Sequence, residues 1–283
     1  MKTVADVLSS ATARLIAGGI DSPRLDAEIL LAHVLNWRRL MLYVDAEKIL
    51  PAEKILRFNE LIARRLTRIP VAYLVGTKEF FGLNFAVNES VLIPRPETEI
   101  LVEGVGEFLR GLGREVTFAD LGTGSGAIAV SMLKFVPSAR AAMVDISAQA
   151  LQVAKFNAAK FGVEGRAEFF CGDMFAPLDG KIFDAIVSNP PYIPAADIST
   201  LQAEVRLEPR LALDGGADGL SFYRRIISDA PKFLSAGGLL AMEVGFNQAA
   251  AVKKILARDS RFSDIQTLRD LSGIERVVAA ARR

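Results

Sequence analysis

One stretch limits the folds open to this chain more than any other. Residues 116–119 form an apolar run that passes into Asp120-Leu121-Gly122-Thr123-Gly124-Ser125-Gly126, and helical periodicity resumes over residues 127–135. A strand, a glycine loop and a helix in that order open a parallel α/β sheet. They bring bare backbone to the carboxyl end of the strand, where such sheets bind ligands. The spacing is Gly-x-Gly-x-Gly, not the Gly-x-Gly-x-x-Gly of dinucleotide binders. A glycine loop by itself is weak evidence for a site, but its surroundings repeat the signal. Residues 141–144 read as a second strand ending at Asp145, about 20 positions on, where a carboxylate accepts both hydroxyls of a ribose. Ser147 caps the helix that follows, with Ala150, Val153 and Ala154 toward the sheet. A third strand, 167–171, runs into Gly172-Asp173-Met174. Each of these residues has a bland alternative, a capping Asp or a packing Met. Their convergence on one sheet edge is what argues for a cofactor.

A fourth strand, Ile182-Phe183-Asp184-Ala185-Ile186-Val187-Ser188, ends in Asn189-Pro190-Pro191-Tyr192. Proline has no N–H and holds φ near about −65°, so two in a row stop the strand. The Asn189 side chain and the Pro190 carbonyl are left as rigid acceptors, with the Tyr192 ring beside them. That set suits an NH2 group: two acceptors take its two hydrogens while the ring stacks on the planar group bearing it. The bland reading is a strand ended by a proline turn. Downstream come Glu208-Pro209, the turn Gly215-Gly216 and a helix marked by Leu220, Tyr223, Ile226, Ile227 and Phe233. A fifth strand over 239–244, a helix over 249–257 and a closing antiparallel pair, 262–268 with 276–280, complete the pattern.

Upstream the texture is helical. Val4, Val7, Leu8, Ala11, Leu15 and Ile16 follow the spacing of one buried face, which Gly18-Gly19 stops. Asp21-Ser22-Pro23 is a start signal leading into Leu25, Ile29, Val34 and Leu35, and Pro51 opens a third segment with Ile55, Phe58, Leu61 and Ile62 inward. No catalytic pattern occurs here, so residues 1–72 are expected to be a helical substrate-recognition domain. Gly76, Gly82 and the aromatics Phe80, Phe81 and Phe85 suggest a β-hairpin linker over 73–95, ahead of an α/β domain over 96–283. In Ile93-Pro94-Arg95-Pro96-Glu97-Thr98-Glu99 the prolines fix a bend around Arg95. It is either a linker or a guanidinium that orders the mouth of a site.

Composition narrows the function. With 51% hydrophobic and 24% charged residues the chain is an ordinary globular one, and no apolar run reaches the roughly 18 to 20 residues of a membrane span. Met1-Lys2-Thr3 leads into a helical pattern, not a signal peptide, so a cytoplasmic location is expected. One cysteine, Cys171, and one histidine, His33, supply neither an internal disulfide nor a Cys/His metal site. A net charge of +1, from 34 basic and 33 acidic residues, is not that of a domain built for nucleic acid. His33 reads as structural or surface, Cys171 as a small apolar residue ending a buried strand, and Arg38-Arg39 and Arg64-Arg65 as solvated faces.

On these motifs the chain resembles the N5-glutamine methyltransferases, and within them the enzymes acting on peptide chain release factors. The resemblance covers nearly the whole chain and is weakest in the helical part, which matches by character. It implies a Rossmann-like class I S-adenosylmethionine-dependent methyltransferase sheet of seven strands, the last antiparallel, behind a small α-helical domain. It implies S-adenosylmethionine held by Asp120, Gly122, Thr123, Gly124, Ser125, Gly126, Asp145, Asp173, Met174 and Asn189. The glutamine side chain would lie on Asn189, Pro190, Pro191 and Tyr192, with Asn189, Pro190 and Tyr192 catalytic and no metal. The implied substrate is the glutamine of the Gly-Gly-Gln motif of release factors, with no membrane and no direct nucleic-acid contact. Three other readings stand beside it. A methyltransferase for a ribosomal-protein glutamine shares every motif named; an exocyclic-amine DNA or RNA methyltransferase uses the same Asn-Pro-Pro-aromatic device, against the near-neutral charge. A cofactor-binding protein with a vestigial site is opposed by the intact residues 189–192. No general base is evident.

Overall fold

In the computed structural model, which describes residues 2–283, the helical periodicity of the first quarter closes into a small bundle: α1 (Val4–Ala17), α2 (Pro23–Leu35), α3 (Met41–Val44), α4 (Ala52–Leu66) and α5 (Val71–Val75). These helices belong to one compact unit, which extends to Thr77 and includes Gln202–Leu207. Thr3 starts α1 with a reciprocal capping box: its hydroxyl accepts from the Asp6 N–H and the Asp6 carboxylate accepts from its own N–H. Three details depart from simple periodicity. Ile16 and Leu25 are 61% and 41% exposed. Because α2 packs against α1, α4 and α5, it buries Asp26, Ala27, Glu28, Leu30, Leu31, Ala32 and Val34, more than one stripe. Ser22 makes no side-chain cap, so Pro23 in the first turn sets that start. Arg65 is not on a solvated face, whereas Arg64 is: Arg65 is buried, 2.8 Å from Asp26 and 2.9 Å from Glu204. A carboxylate buried on α2 needs a cation, and α4 supplies it.

The second unit, Lys78–Leu201 with Glu208–Arg283, is the α/β part. A hairpin, β1 (Thr77–Phe80) and β2 (Leu83–Ala86), precedes a seven-stranded sheet made of β3 (Val116–Leu121), β4 (Ala139–Asp145), β5 (Ala167–Cys171), β6 (Phe183–Ser188), β7 (Leu234–Glu243), β8 (Phe262–Arg269) and β9 (Glu275–Arg282). The order is β5-β4-β3-β6-β7-β9-β8, parallel from β5 to β7, with β9 antiparallel to both neighbours. Alternate residues feed opposite cores: Phe118 packs on the side of α6 (Glu99–Gly111), α7 (Ala127–Phe135) and α8 (Ala148–Lys160). Ala119 and Leu121 pack on the side of α9 (Ser221–Asp229) and α10 (Ala249–Leu256). From β3 the chain winds outward one way to β5 and then the other way from β6. The switch point, where α/β sheets open a crevice, therefore lies between β3 and β6.

The structure also corrects details here. Cys171 is exposed, because β5 is an edge strand and buries little. β7 begins at Leu234, ahead of the expected 239, and its register with β6 shifts between Phe183 and Ala185, which lets the strand run through Gly237 and Gly238. Phe233 lies beyond α9, after a 3-10 turn, Ala230–Lys232, that contains Pro231. Among the described residues no helix is long and apolar enough to cross a membrane, and no group of His, Cys, Asp or Glu is placed to hold a metal.

Candidate active site

The carboxyl ends of the parallel strands open into a cavity of about 550 Å3. Its floor is apolar, with Leu121, Ile128 and Val144, and a few polar groups converge on it, the usual make-up of a small-molecule site. Gly122, Thr123, Gly124, Ser125, Asp145, Asp173, Met174, Asn189, Pro190 and Pro191 all line it. Asp120, Gly126 and Tyr192 do not.

Those three act from behind. Asp120, at 0% exposure, accepts from the Thr123 hydroxyl at 2.6 Å through Oδ2, which ties the loop back to its strand. Its Oδ1 makes no hydrogen bond of normal geometry, although the Ala129 N–H lies close enough to ease its charge. Burial pushes this carboxyl up to about 7. Gly126 has φ +80°, and a methyl there would meet the Met143 side chain at 2.9 Å and Ala154 at 3.3 Å, so the turn into α7 needs both its conformation and its bareness. The buried Asn157 amide donates to the Ser125 and Ala86 carbonyls at 2.8 and 2.9 Å, holding the loop against β2. The partly buried Tyr192 ring packs against the core under α9 and α10, and burial pushes its hydroxyl up to about 12. The Gln248 amide donates to its carbonyl at 2.9 Å.

On the cavity side, Asp145 accepts from Gly124 N–H at 2.8 Å through Oδ2 and from Ser147 N–H at 2.9 Å through Oδ1. Each oxygen keeps a lone pair for a further donor. Burial raises this carboxyl, against backbone hydrogen bonds that lower it. Asp173 is paired with Arg225 at 2.6 Å, and both side chains are about half exposed. Met174 takes φ +52°, an uncommon left-handed conformation for a side-chain-bearing residue. A hydroxyl-rich nucleoside fits this half: an acid at the ribose position, an open glycine backbone and an apolar floor.

At the other half, the Ser188 hydroxyl donates to the Leu121 carbonyl at 2.7 Å and pins the end of β6 to β3. Asn189 Nδ2 donates to Thr98 Oγ1 at 3.2 Å, and Thr98 Oγ1 donates to Glu243 Oε2 at 2.5 Å. Among the described residues no hydrogen bond reaches Asn189 Oδ1 or the Pro190 carbonyl. Arg95 donates to Glu208 at 2.5 Å, and the other Glu208 oxygen accepts from Ile93 N–H at 3.0 Å. The guanidinium between two prolines thus belongs to the cavity wall, locked by a buried acid. Thr98 and Glu243 are the residues missed in the sequence. One signal was available for Glu243: like Asp120 and Asp145 it is an acid at the carboxyl end of a parallel strand.

Residues 6–76 match the family described as PrmC N-terminal domain, and residues 97–206 the one described as Methyltransferase small domain. A release factor glutamine methyltransferase of Moorella thermoacetica is 45% identical over 281 residues, covering 99% of each chain. That of Geobacter sulfurreducens is 45% identical over 277 residues, covering 98% of this chain and 95% of its own. Among solved structures, the hMettl16 catalytic domain in complex with a MAT2A 3′UTR hairpin is alike in fold alone, with a TM-score of 0.59 at 15% identity over 81% of this chain and 80% of its own.

Proposed function

The chain belongs to the release factor glutamine methyltransferases, and from that premise we propose that it methylates N5 of the Gly-Gly-Gln glutamine of a peptide chain release factor in the cytoplasm. S-adenosylmethionine is the methyl donor of this family and fold. The observation that supports the reading best is the pair of uncommitted acceptors at the cavity, Asn189 Oδ1 and the Pro190 carbonyl, beside an acid suited to a ribose. The helical unit, which carries no acid–base or nucleophilic pattern, recognises the protein substrate.

Gly122 to Ser125, Asp145, Asp173 and Met174 would hold the donor, whose sulfonium would supply an electrophilic methyl, with Gly126 shaping the loop from behind. An amide nitrogen is a poor nucleophile because its lone pair is delocalised into the carbonyl. Orientation therefore has much to contribute. With Asn189 and Pro190 taking both amide hydrogens, the nitrogen would be presented to the methyl group in one fixed orientation; alignment of this kind is worth up to about 7 to 11 kcal/mol. The same acceptors stabilise positive charge as the carbon–nitrogen bond forms. The nitrogen then sheds one proton, to water, and is left as the N5-methyl amide. Tyr192 backs the Pro190-Pro191 turn, its partly buried ring packed against the core.

The test is incubation with S-adenosylmethionine labelled in the methyl group and a purified release factor. Label should appear on the side-chain amide of the motif glutamine and be absent when that glutamine is replaced. Label on a ribosomal protein instead, or label removed by nuclease, would overturn the assignment.

A further inference from the structure

A threonine at a helix N-cap ordinarily turns its hydroxyl back to accept from the first turn. Thr98 does not do this: it is the last residue of a 3-10 turn, Pro96–Thr98, that runs straight into α6, and at φ −67° and ψ −18° it is itself helical and makes no cap bond. Its hydroxyl proton goes to Glu243 and its lone pair takes the Asn189 amide. Three residues that lie far apart in the chain, just before α6, at the end of β7 and after β6, are thus joined by two hydrogen bonds with one sense of direction, and the Asn189 amide also bonds Glu243 directly. A hydroxyl has a single proton, and giving it to a carboxylate leaves Thr98 only able to accept on its other side. Asn189 must then present Nδ2 to Thr98 and Oδ1 to the cavity.

We propose that Glu243 is a positioning residue: through Thr98 its carboxylate holds the Asn189 amide with Oδ1 toward the acceptor, so that the site receives an NH2 group and does not offer one. This rests on the function proposed above. A protonated Glu243 removes the enforcement, because its own O–H donates to Thr98, whose proton is then free to turn to Asn189. The amide flips, and an N–H faces the substrate N–H. Glu243 is 3% exposed at the end of β7, and burial pushes its carboxyl up to about 7. Glu97 raises it further, while Thr98, Arg276 from β9 and Asn189 lower it. Arg276 is itself held by Asp270 at 2.8 Å and lies 3.9 Å from Glu97. The remaining titratable groups nearby are the hydroxyls of Tyr192 and Tyr223, both pushed up by burial and by the Glu243 charge, and Arg95, whose charge acts on Tyr192. Glu243 is the group of this cluster that burial lifts to about 7, and the switch belongs to it.

The experiment uses the full chain with a purified release factor. Glu243→Gln and Thr98→Val should each lower kcat about tenfold to a hundredfold, as loss of an orienting partner does. The KM for release factor and the Kd for S-adenosylmethionine should stay within about twofold. Thr98→Ser should restore kcat. The parent kcat should rise with pH through about 7, and in Glu243→Gln that limb should vanish. A signal independent of turnover is the Asn189 side-chain NH2 resonance in protein carrying 15N-labelled asparagine, which should titrate with the same midpoint in the parent and not in Glu243→Gln. An acid limb and resonance unchanged by Glu243→Gln, or Thr98→Ser no better than Thr98→Val, would overturn the relay while leaving the methyl-acceptor reading intact. Full turnover in Asn189→Ala would bring down that reading and the relay with it.

Discussion

The two halves of the cavity solve the same problem with different materials. On the side assigned above to the donor, contacts are nearer in sequence: Asp120 reaches Thr123 three residues away, and Asp145 takes the Ser147 amide two residues away and the Gly124 amide 21 away. Where the acceptor sits, they are remote: Asn189 reaches Thr98 and Thr98 reaches Glu243, spanning 91 and 145 positions. Each half buries one carboxylate under its working surface, Asp120 or Glu243, and each covers that carboxylate with a threonine hydroxyl. The donor half needs its backbone held in a shape, which the glycine loop does with the Asn157 amide behind it. The acceptor half needs one side chain held in one of two orientations that differ by a swap of N and O. Only a directional chain of donors anchored on a charge distinguishes them.

If that division is correct, Asn189→Ala should act on turnover and hardly on the donor. Removing one preorganised hydrogen-bonding group at a reacting centre costs roughly a hundred- to a thousandfold in kcat, and binding of S-adenosylmethionine measured by calorimetry should change by less than about threefold. A comparable loss in both would mean that the halves are one site energetically.

The next largest effect concerns stability and pH. Glu243 and Asp120 hold their protons more tightly folded than unfolded, since their carboxyls sit at about 7 against ordinary values of 4.5 and 3.8. Such a group contributes stability that is complete below the ordinary value and is lost as pH rises through about 7. At about 1.4 kcal/mol per pH unit, Glu243 alone takes on the order of 3 kcal/mol from the folded state between pH 5 and 8. Glu243→Gln, and separately Asp120→Asn, should therefore gain in Tm over the parent at pH 8 and gain little at pH 5. Equal differences at both pH values would show that folding leaves both carboxyls at their ordinary values.

The same division explains what was legible in the sequence. The α/β order, the glycine loop, Asp145 and residues 189–192 each announce themselves within a few neighbours, through glycine spacing, strand periodicity or a proline pair. Cys171 was misjudged because a strand's periodicity does not reveal that it forms a sheet edge. Arg65 was misjudged because its partners, Asp26 and Glu204, lie 39 and 139 residues away. Nothing near Thr98 in the chain says that its hydroxyl serves Asn189. Glu243 carried a readable sign, an acid ending a parallel strand, yet an apolar strand taken through residue 244 passes over it.

Smaller effects belong to the donor half. Asp145→Ala should weaken S-adenosylmethionine by about 1.5 to 3 kcal/mol, the value of a charge-assisted hydrogen bond, with kcat at saturating donor close to the parent. Unchanged affinity in calorimetry would remove Asp145 from the ribose.

The gentlest probe is Gly126→Ala. The residue sits at φ +80°, where a side chain costs roughly 1 to 2 kcal/mol. Of the atoms its methyl would meet, the tip of Met143 can swing aside, but Ala154 on α8 is approached at its Cα and Cβ and must move as a body. The loop should therefore shift toward the cavity, with a Tm a few degrees lower and a raised KM for S-adenosylmethionine. The Asn189–Thr98–Glu243 chain lies on other strands and should not feel the shift. Turnover with donor at saturation, and its rise with pH through about 7, should match the parent. If the pH limb moves with Gly126→Ala, the two halves are mechanically coupled across β3 and β6, and the separation drawn between backbone shape and side-chain polarity does not hold.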